Sequence, residues 1–106
     1  MASITTPKAI AAAFIAGQRP AYRLDSLKIV EGPKVRELQS YGPHFPVIVD
    51  YTNDSAFYLN TERNSATTNR HVQAATLALN EAGYKPTDVV IRCKGMLFAE
   101  YRLAQG

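Results

Sequence analysis

Cysteine is nearly absent from this sequence, and Cys93 is the one thiol in 106 residues. No internal disulfide can form, which excludes the small secreted scaffolds that several disulfide bridges hold together. The lone thiol, together with an N-terminus that lacks the pattern of a signal peptide, predicts a cytoplasmic protein. Cys93 ends the apolar run 89–93, so we expect a buried structural thiol rather than a catalytic nucleophile.

Long apolar runs and concentrated basic charge are also missing. No apolar stretch approaches the roughly 20 residues that a membrane-spanning helix requires, so we expect no membrane partner. The net charge is +3 and the pI about 9.2, but the 12 lysines and arginines are dispersed over the chain instead of forming a stripe. Such a mild basic excess permits an acidic partner without requiring one.

Recognisable catalytic and metal-binding motifs are missing as well. There is no GxGxxG segment, no P-loop and no spacing typical of a catalytic triad. The two histidines, His44 and His71, are far apart in the sequence and have no cysteine or histidine at metal-ligand spacing. We therefore expect a protein without enzymatic activity, metal or cofactor, and an enzyme would have to use His44 or His71.

The sequence does contain enough apolar material for one folded core. Hydrophobic residues make up 46% of the chain, and no repeat or low-complexity segment divides it. Periodicity and turn residues predict an α+β fold, in which a mostly antiparallel sheet carries two helices packed on one face. The single domain is expected to span 1–106, with helices at 7–16 and 68–82 and strands at 22–30, 35–41, 47–51, 56–60, 89–93 and 96–103.

The same periodicity predicts which side chains form the core. Apolar residues on the inner faces of the helices and of the sheet should pack together: Ile10, Phe14, Val72, Ala75, Leu79, Val47, Val49 and Leu97. Tyr51 and Tyr58 flank the loop of a predicted hairpin and can pair across its strands. Turns are expected at 86–88 and at Lys94-Gly95.

The first candidate site is the segment Ser65-Ala-Thr-Thr-Asn-Arg-His71, at the start of the second helix. Small polar residues cap the free N–H groups of a first helical turn. Arg70 and His71, in contrast, lie at the positive end of the helix dipole, at a cost of about 0.3–1 kcal/mol each when exposed. With the hydroxyls of Ser65, Thr67 and Thr68 they would suit an anion or a protein partner. A binding role requires Arg70 and His71 to be exposed, whereas ordinary capping would leave His71 half-buried.

The second candidate site is the segment Ser40-Tyr-Gly-Pro-His-Phe-Pro46. Its two prolines interrupt regular structure, because neither can donate to a central strand ladder. Tyr41, His44 and Phe45 could form an exposed aromatic recognition surface. The alternative places Tyr41 and Phe45 in the core and His44 at the edge of a bent strand.

Both segments take part in one resemblance. A Ser-Tyr pair, a hairpin and a Ser-x-Thr-Thr-x-Arg-His segment at a helix start follow one another here, and the matching residues are Ser40, Tyr41, Ser65, Thr67, Thr68, Arg70 and His71. Over 35–79 the chain thereby resembles small phage and plasmid proteins of uncharacterised function. The resemblance implies an origin in a mobile element.

The order of elements is also similar to that of double-stranded-RNA-binding domains, which run helix, three strands, helix. Gly42-Pro-His44 and the alanine-rich second helix resemble parts of that pattern. Thr67, Thr68 and Asn69 stand where that family has paired lysines, and the strands after Gly83 have no counterpart in it.

These features lead to two functional hypotheses. The first is a small non-enzymatic protein of phage or plasmid origin that docks on a host protein or nucleoprotein, such as a component of a defence system, in the host cytoplasm. The second is a nucleic-acid-binding module that uses the start of the second helix. Salt dependence separates them, since phosphate contacts weaken steeply with salt and protein interfaces change far less.

Overall fold

The structure is a computed structural model, and it describes residues 6–18, 27–52, 54–63 and 65–104. Helices and strands follow one another in the order α1 (Pro7–Ile15), β1 (Leu27–Glu31), β2 (Val35–Ser40), β3 (Pro46–Tyr51), β4 (Phe57–Asn60), α2 (Ala66–Glu81), β5 (Tyr84–Cys93) and β6 (Met96–Leu103). The α+β fold expected from the sequence is therefore confirmed. The predicted strand residues 22–26 lie outside the described part of the chain.

The strands form one six-stranded sheet in the order β1-β2-β3-β4-β6-β5, and every neighbouring pair is antiparallel. Short hairpins join β1 to β2, β2 to β3 and β3 to β4. The chain then crosses the sheet through α2 and continues into β5 at the far edge. Strand β6 folds back from there and fills the gap between β4 and β5.

Side-chain caps and glycines set the ends of the two helices. Thr6 Oγ1 accepts the N–H of Ala9 at 3.2 Å, with Pro7 in the first helical position. Ser65 Oγ does the same for Thr68 at 3.2 Å, and α2 therefore begins at Ala66, slightly earlier than predicted. Gly83, at φ +92°, follows the end of α2, in the left-handed conformation that glycine adopts without strain.

Both helices pack on the same face of the sheet and enclose the main core. Its buried members include five of the residues predicted to form it: Ile10, Phe14, Ala75, Leu79 and Val47. Val72 is partly buried at its margin. Leu97 is exposed instead, because it lies on the distal half of the β5–β6 hairpin and not in this cluster.

A second, smaller core lies on the opposite face of the sheet. Val49 belongs to this cluster and not to the core beneath the helices. Its predicted burial is therefore confirmed, but its predicted location is wrong. It packs with Tyr58 and Phe98, and the ring of Tyr51 meets that of Tyr58 edge to face at 5.8 Å. The predicted cross-strand pairing of Tyr51 with Tyr58 is thus confirmed. Both tyrosines follow the strand alternation that places every second side chain on this face.

The tip of the β5–β6 hairpin closes over this second core. Lys94 Nζ lies 3.3 Å from a carboxylate oxygen of Glu37 on β2, although β3 and β4 separate β2 from β6. The hydroxyl of Tyr51 lies 3.8 Å from Cys93 Sγ in the same region. Such contacts require a strongly curled sheet, and they leave Cys93 partly buried as a packing residue.

Strand β5 differs from its prediction. The expected turn at 86–88 is wrong, because these residues continue the strand as a bulge, with a register shift between Pro86 and Val90. Pro86 is tolerated there since β5 is an edge strand. The turn at Lys94-Gly95 is confirmed, with φ angles of +53° and +78°. In the described ranges, no helix is long and apolar enough to cross a membrane.

Candidate functional site

The two candidate segments meet where β2 ends beneath the first turn of α2. Ser40, the last residue of β2, is 0% exposed. Its Oγ lies 2.8 Å from Nδ1 of His71 and 3.2 Å from Oγ1 of Thr68. The Tyr41–His44 turn leaves the sheet from this point, so the hydrogen bonds of Ser40 tie that turn to the helix start.

The helix cap extends this network to the surface. Ser65 Oγ accepts the backbone N–H of Thr68 and donates to Thr68 Oγ1, both at 3.2 Å. A chain of hydrogen bonds therefore runs from Ser65 through Thr68 and Ser40 to His71. No buried side-chain nitrogen or oxygen in the described residues lacks a partner, and such satisfied networks hold their surroundings rigidly.

His71 and Thr68 belong to this buried network and not to the surface. His71 is 4% exposed, so the expectation that it is exposed beside Arg70 is wrong. Both residues lie on the inner side of α2, in phase with Ala75 and Ala78 at spacings of three and four. Burial lowers the pKa of His71, because the charged imidazolium would lose its hydration. The ring is therefore neutral at pH 7 and acts as a structural support.

Tyr41 has an unusual backbone conformation. Its φ is +58°, a left-handed value that costs a residue with a side chain roughly 1–2 kcal/mol. The side chain is 53% exposed, and its ring centroid lies 6.0 Å from that of His71. Strained residues that the surrounding structure holds in place are typical of functional sites. The alternative in which Tyr41 packs in the core is wrong.

The residues that follow Tyr41 in the turn hold it in place. Phe45 is buried, as expected in the same alternative, and its carbonyl accepts the N–H of Ser40 at 2.9 Å. Gly42 takes φ +108°, and a Cβ placed there would lie 3.5 Å from ring atoms of His44. His44 therefore lies against Gly42 with its ring exposed at the surface.

Five of the candidate side chains are exposed at this end of the molecule: Tyr41, His44, Ser65, Thr67 and Arg70. We call this set the Tyr41 surface. Thr67 and Arg70 are neighbours at a spacing of three on α2. Arg70 retains its unfavourable place near the positive end of the helix dipole. The surface thus offers the phenol of Tyr41, a guanidinium, an imidazole and the hydroxyl of Thr67, whereas the hydroxyl of Ser65 is used in the helix cap.

A pair of serine and histidine can act as nucleophile and base only if a substrate reaches it. Ser40 is completely buried, so its hydrogen bond to His71 holds the structure together instead of presenting a nucleophile. Among the residues that the structure describes, no group of three His, Cys, Asp or Glu side chains is placed to hold a metal ion.

Sequence reasoning missed a second polar network, at the other end of the sheet face that carries the smaller core. The hydroxyl of Tyr58 donates to Asp54 Oδ2 at 2.7 Å and lies 3.3 Å from Glu100 Oε2. Arg102 bridges both carboxylates, at 3.3 Å from Asp54 and 3.1 Å from Glu100, and Thr87 Oγ1 donates to Glu100 at 2.8 Å. Glu100 and Arg102 stand two positions apart in the sequence, which places them on the same face of a strand. Their partners, however, depend on the pairing of β4 with β6.

This network shifts the pKa values of its members in opposite directions. The hydrogen bond from Tyr58 lowers the pKa of Asp54, and the same bond raises the pKa of Tyr58. Arg102 lowers the pKa of Glu100 by donating to it. All three shifts favour a charged carboxylate beside a neutral phenol, which is a stable structural arrangement at neutral pH.

Of the two polar networks, only the one beneath α2 supports an exposed aromatic side chain in a strained conformation, so the Tyr41 surface is the better candidate site. Its assignment depends on geometry and charge. Comparison with protein-family models, with curated proteins and with solved structures finds no match to this chain.

Proposed function

We propose that this chain is a non-enzymatic binding domain that docks on another protein through the Tyr41 surface. The observation that carries the proposal is the conformation of Tyr41, whose ring is half exposed on a strained backbone and rests on a buried, hydrogen-bonded support. Tyrosine and arginine dominate the energetics of protein interfaces, since both combine large contact area with hydrogen-bonding groups. Tyr41 and Arg70 are the residues expected to contribute most.

The distribution of charge favours a protein over a nucleic acid as the partner. Four of the basic side chains elsewhere in the described residues form ion pairs with carboxylates: Lys8, Arg36, Lys94 and Arg102. The Tyr41 surface itself contributes Arg70 and the imidazole of His44. Phosphate backbones are usually held by several lysines and arginines on one face.

The resemblance of 35–79 to small phage and plasmid proteins supports a more specific proposal. Its residues include every member of the buried network and every member of the Tyr41 surface except His44. We therefore propose a host protein or nucleoprotein as the partner, in the host cytoplasm, with a component of a defence system as the first candidate. In that role the domain would inhibit its partner by occupying a surface.

Capture from a bacterial host lysate tests the proposal. Tagged wild-type protein should retain a partner after nuclease treatment and at raised salt. Tyr41→Ala and Arg70→Ala should each reduce capture at least about tenfold, which corresponds to roughly 1.4 kcal/mol of binding free energy. Leu77→Ala is the matched control, because Leu77 is 50% exposed on the outer side of α2 and lies outside the Tyr41 surface.

The outcomes separate the hypotheses. Capture that disappears with nuclease or falls steeply with salt would establish the nucleic-acid alternative instead. Capture that survives both Tyr41→Ala and Arg70→Ala would refute the Tyr41 surface as the binding site. Equal loss with Leu77→Ala would show that binding is not confined to the Tyr41 surface, because Leu77 lies about two helical turns from Arg70 on the same side of α2.

A second variant separates binding from folding at the same position. Tyr41→Gly removes the backbone strain of roughly 1–2 kcal/mol but also the ring contact with His71, worth about 0.5–1.5 kcal/mol. The extra freedom of glycine in the unfolded chain costs about 0.5–1 kcal/mol more, so these terms nearly cancel and the melting temperature should change little, while partner capture is lost. A clear fall in melting temperature would mean that Tyr41 is held in place for stability and not for binding.

A further inference from the structure

Strand β5 is an exposed edge to which the proposed function assigns no role. It forms one end of the sheet, and no strand lies beyond it in the described part of the chain. Val89 and Val90 on this strand are 46% and 57% exposed. An edge strand with exposed apolar side chains is a template for pairing with another chain, because half of its backbone groups point outward.

The hairpin turn determines which backbone groups point outward. Cys93 and Met96 face each other across the two-residue turn, so their N–H and C=O groups bond to each other. By alternation, the groups of Arg92 and Val90 point away from β6. The backbone groups of Val89 point toward β6 instead, and its N–H donates to Thr87 Oγ1 at 3.1 Å within the bulge.

We propose that β5 pairs antiparallel with β5 of a second copy of this chain, about a two-fold axis at Val90. In this register Val90 faces Val90, Val89 faces Ile91, and Asp88 faces Arg92 of the second copy. Asp88 and Arg92 are both exposed, and the symmetry creates their pairing twice. Opposite charges and apolar side chains directly across an antiparallel ladder stabilise it.

Other registers are less favourable. An axis at Arg92 or at Asp88 places like charges directly opposite each other, which destabilises a strand pair. An axis at Ile91 places Val90 opposite Arg92, and sets Asp88 against Lys94, which already forms a salt bridge with β2. The axis at Val90 alone matches charge with charge and apolar with apolar over the exposed stretch.

The pairing also merges two apolar patches on the face that carries the helices. Val90 is opposite Ala99 and Arg92 is opposite Leu97 in the hairpin, so these side chains share that face. Leu97 is exposed in the single copy. In the dimer, Val90 and Leu97 of both copies would form one patch, with an Asp88–Arg92 pair at each end. An interface of one strand pair is small, so the dimer should be weak and reversible.

Sedimentation equilibrium of the full chain at concentrations up to about 1 mM tests the proposal. Wild-type protein should dimerise, and Asp88→Arg and Arg92→Asp should each raise the dissociation constant at least about tenfold. The double variant carrying both exchanges should restore the wild-type constant. Lys85→Glu is the control, because Lys85 is exposed on the same strand but outside the pairing.

Cysteine cross-linking locates the axis. In a Cys93→Ala background, Val90→Cys should form a disulfide-linked dimer, because residues facing each other in such a ladder have Cα atoms about 5.5 Å apart. Val30→Cys, on the opposite edge strand β1, should not. The proposal is overturned by a wild-type protein that stays monomeric, by a double variant that fails to restore dimerisation, or by cross-linking through Val30→Cys instead.

Discussion

Replacing Tyr58 with Phe should remove one hydrogen-bonding hydroxyl from the smaller core and little else. The ring is buried and meets Tyr51 edge to face at 5.8 Å, contacts that a phenylalanine keeps. What is lost is the hydrogen bond to Asp54 Oδ2 at 2.7 Å, with the longer approach to Glu100 at 3.3 Å. Hydrogen bonds to charged groups contribute about 1.5–3 kcal/mol, and we expect the free energy of unfolding to fall by that amount.

The loss should depend on pH in a defined direction. The pKa of Asp54 lies below its ordinary value of 3.8, chiefly because Tyr58 donates to it. A carboxyl group whose folded-state pKa is lowered stabilises the fold above 3.8, and this stabilisation disappears as the pH falls through the folded value. The difference between wild type and Tyr58→Phe should therefore be complete at neutral pH and shrink below pH 3.8.

Urea denaturation with linear extrapolation at several pH values measures this difference. Tyr51→Phe is the matched control, because its hydroxyl has the thiol of Cys93, at 3.8 Å, as its one hydrogen-bond partner among the described residues, and should matter less. Asp54→Asn in both backgrounds completes a double-mutant cycle, which isolates the energy of the pair. A loss below about 0.5 kcal/mol at neutral pH, or a difference that stays constant into acid, would refute the reasoning.

Three further predictions concern the core, the thiol and the buried imidazole. Leu79→Ala should lower the free energy of unfolding by about 2–5 kcal/mol in urea denaturation, and a loss below about 1 kcal/mol would mean that the site collapses without a cavity. Cys93→Ala should fold and retain partner capture, since the thiol only packs beside Tyr51; lost capture with an unchanged melting temperature would contradict that role. Wild-type stability should decline as the pH falls below 6.5, because burial lowers the pKa of His71 and the unfolded chain binds the proton better. His71→Asn should flatten that part of the stability profile, and an unaltered profile would assign the decline to other groups.

Features decided by local chemistry could be predicted from the sequence. Thr6, Pro7 and Gly83 indicate helix ends through capping and backbone freedom, and the structure has them there. The turn at Lys94-Gly95 and the hairpin joining β3 to β4 follow in the same way. Each of these depends on residues only a few positions apart.

Features decided by distant pairings could not be predicted. Alternation showed that Val49 would be buried, but which face it occupies depends on the irregular register of β2 against β3, where Leu38 is opposite Ile48 and Gln39 is opposite Pro46. The outward location of Leu97 follows from the hairpin extending beyond the main core. Polar character placed His71 in the candidate surface, whereas its helical phase with Ala75 places it inside. Its partner Ser40 comes from a strand 31 positions away.

The position of β6 within the sheet has a consequence for synthesis on the ribosome. Strand β4 has β6 as its second neighbour, and Asn60 of β4 bonds to Met96 of β6, 36 positions later. At about 5–20 residues per second, β6 emerges roughly 2–7 s after β4. During that interval β4 is an unpaired edge and the smaller core is open to solvent. Nascent chains stalled between α2 and β6 should therefore be the most prone to aggregation and to capture by chaperones.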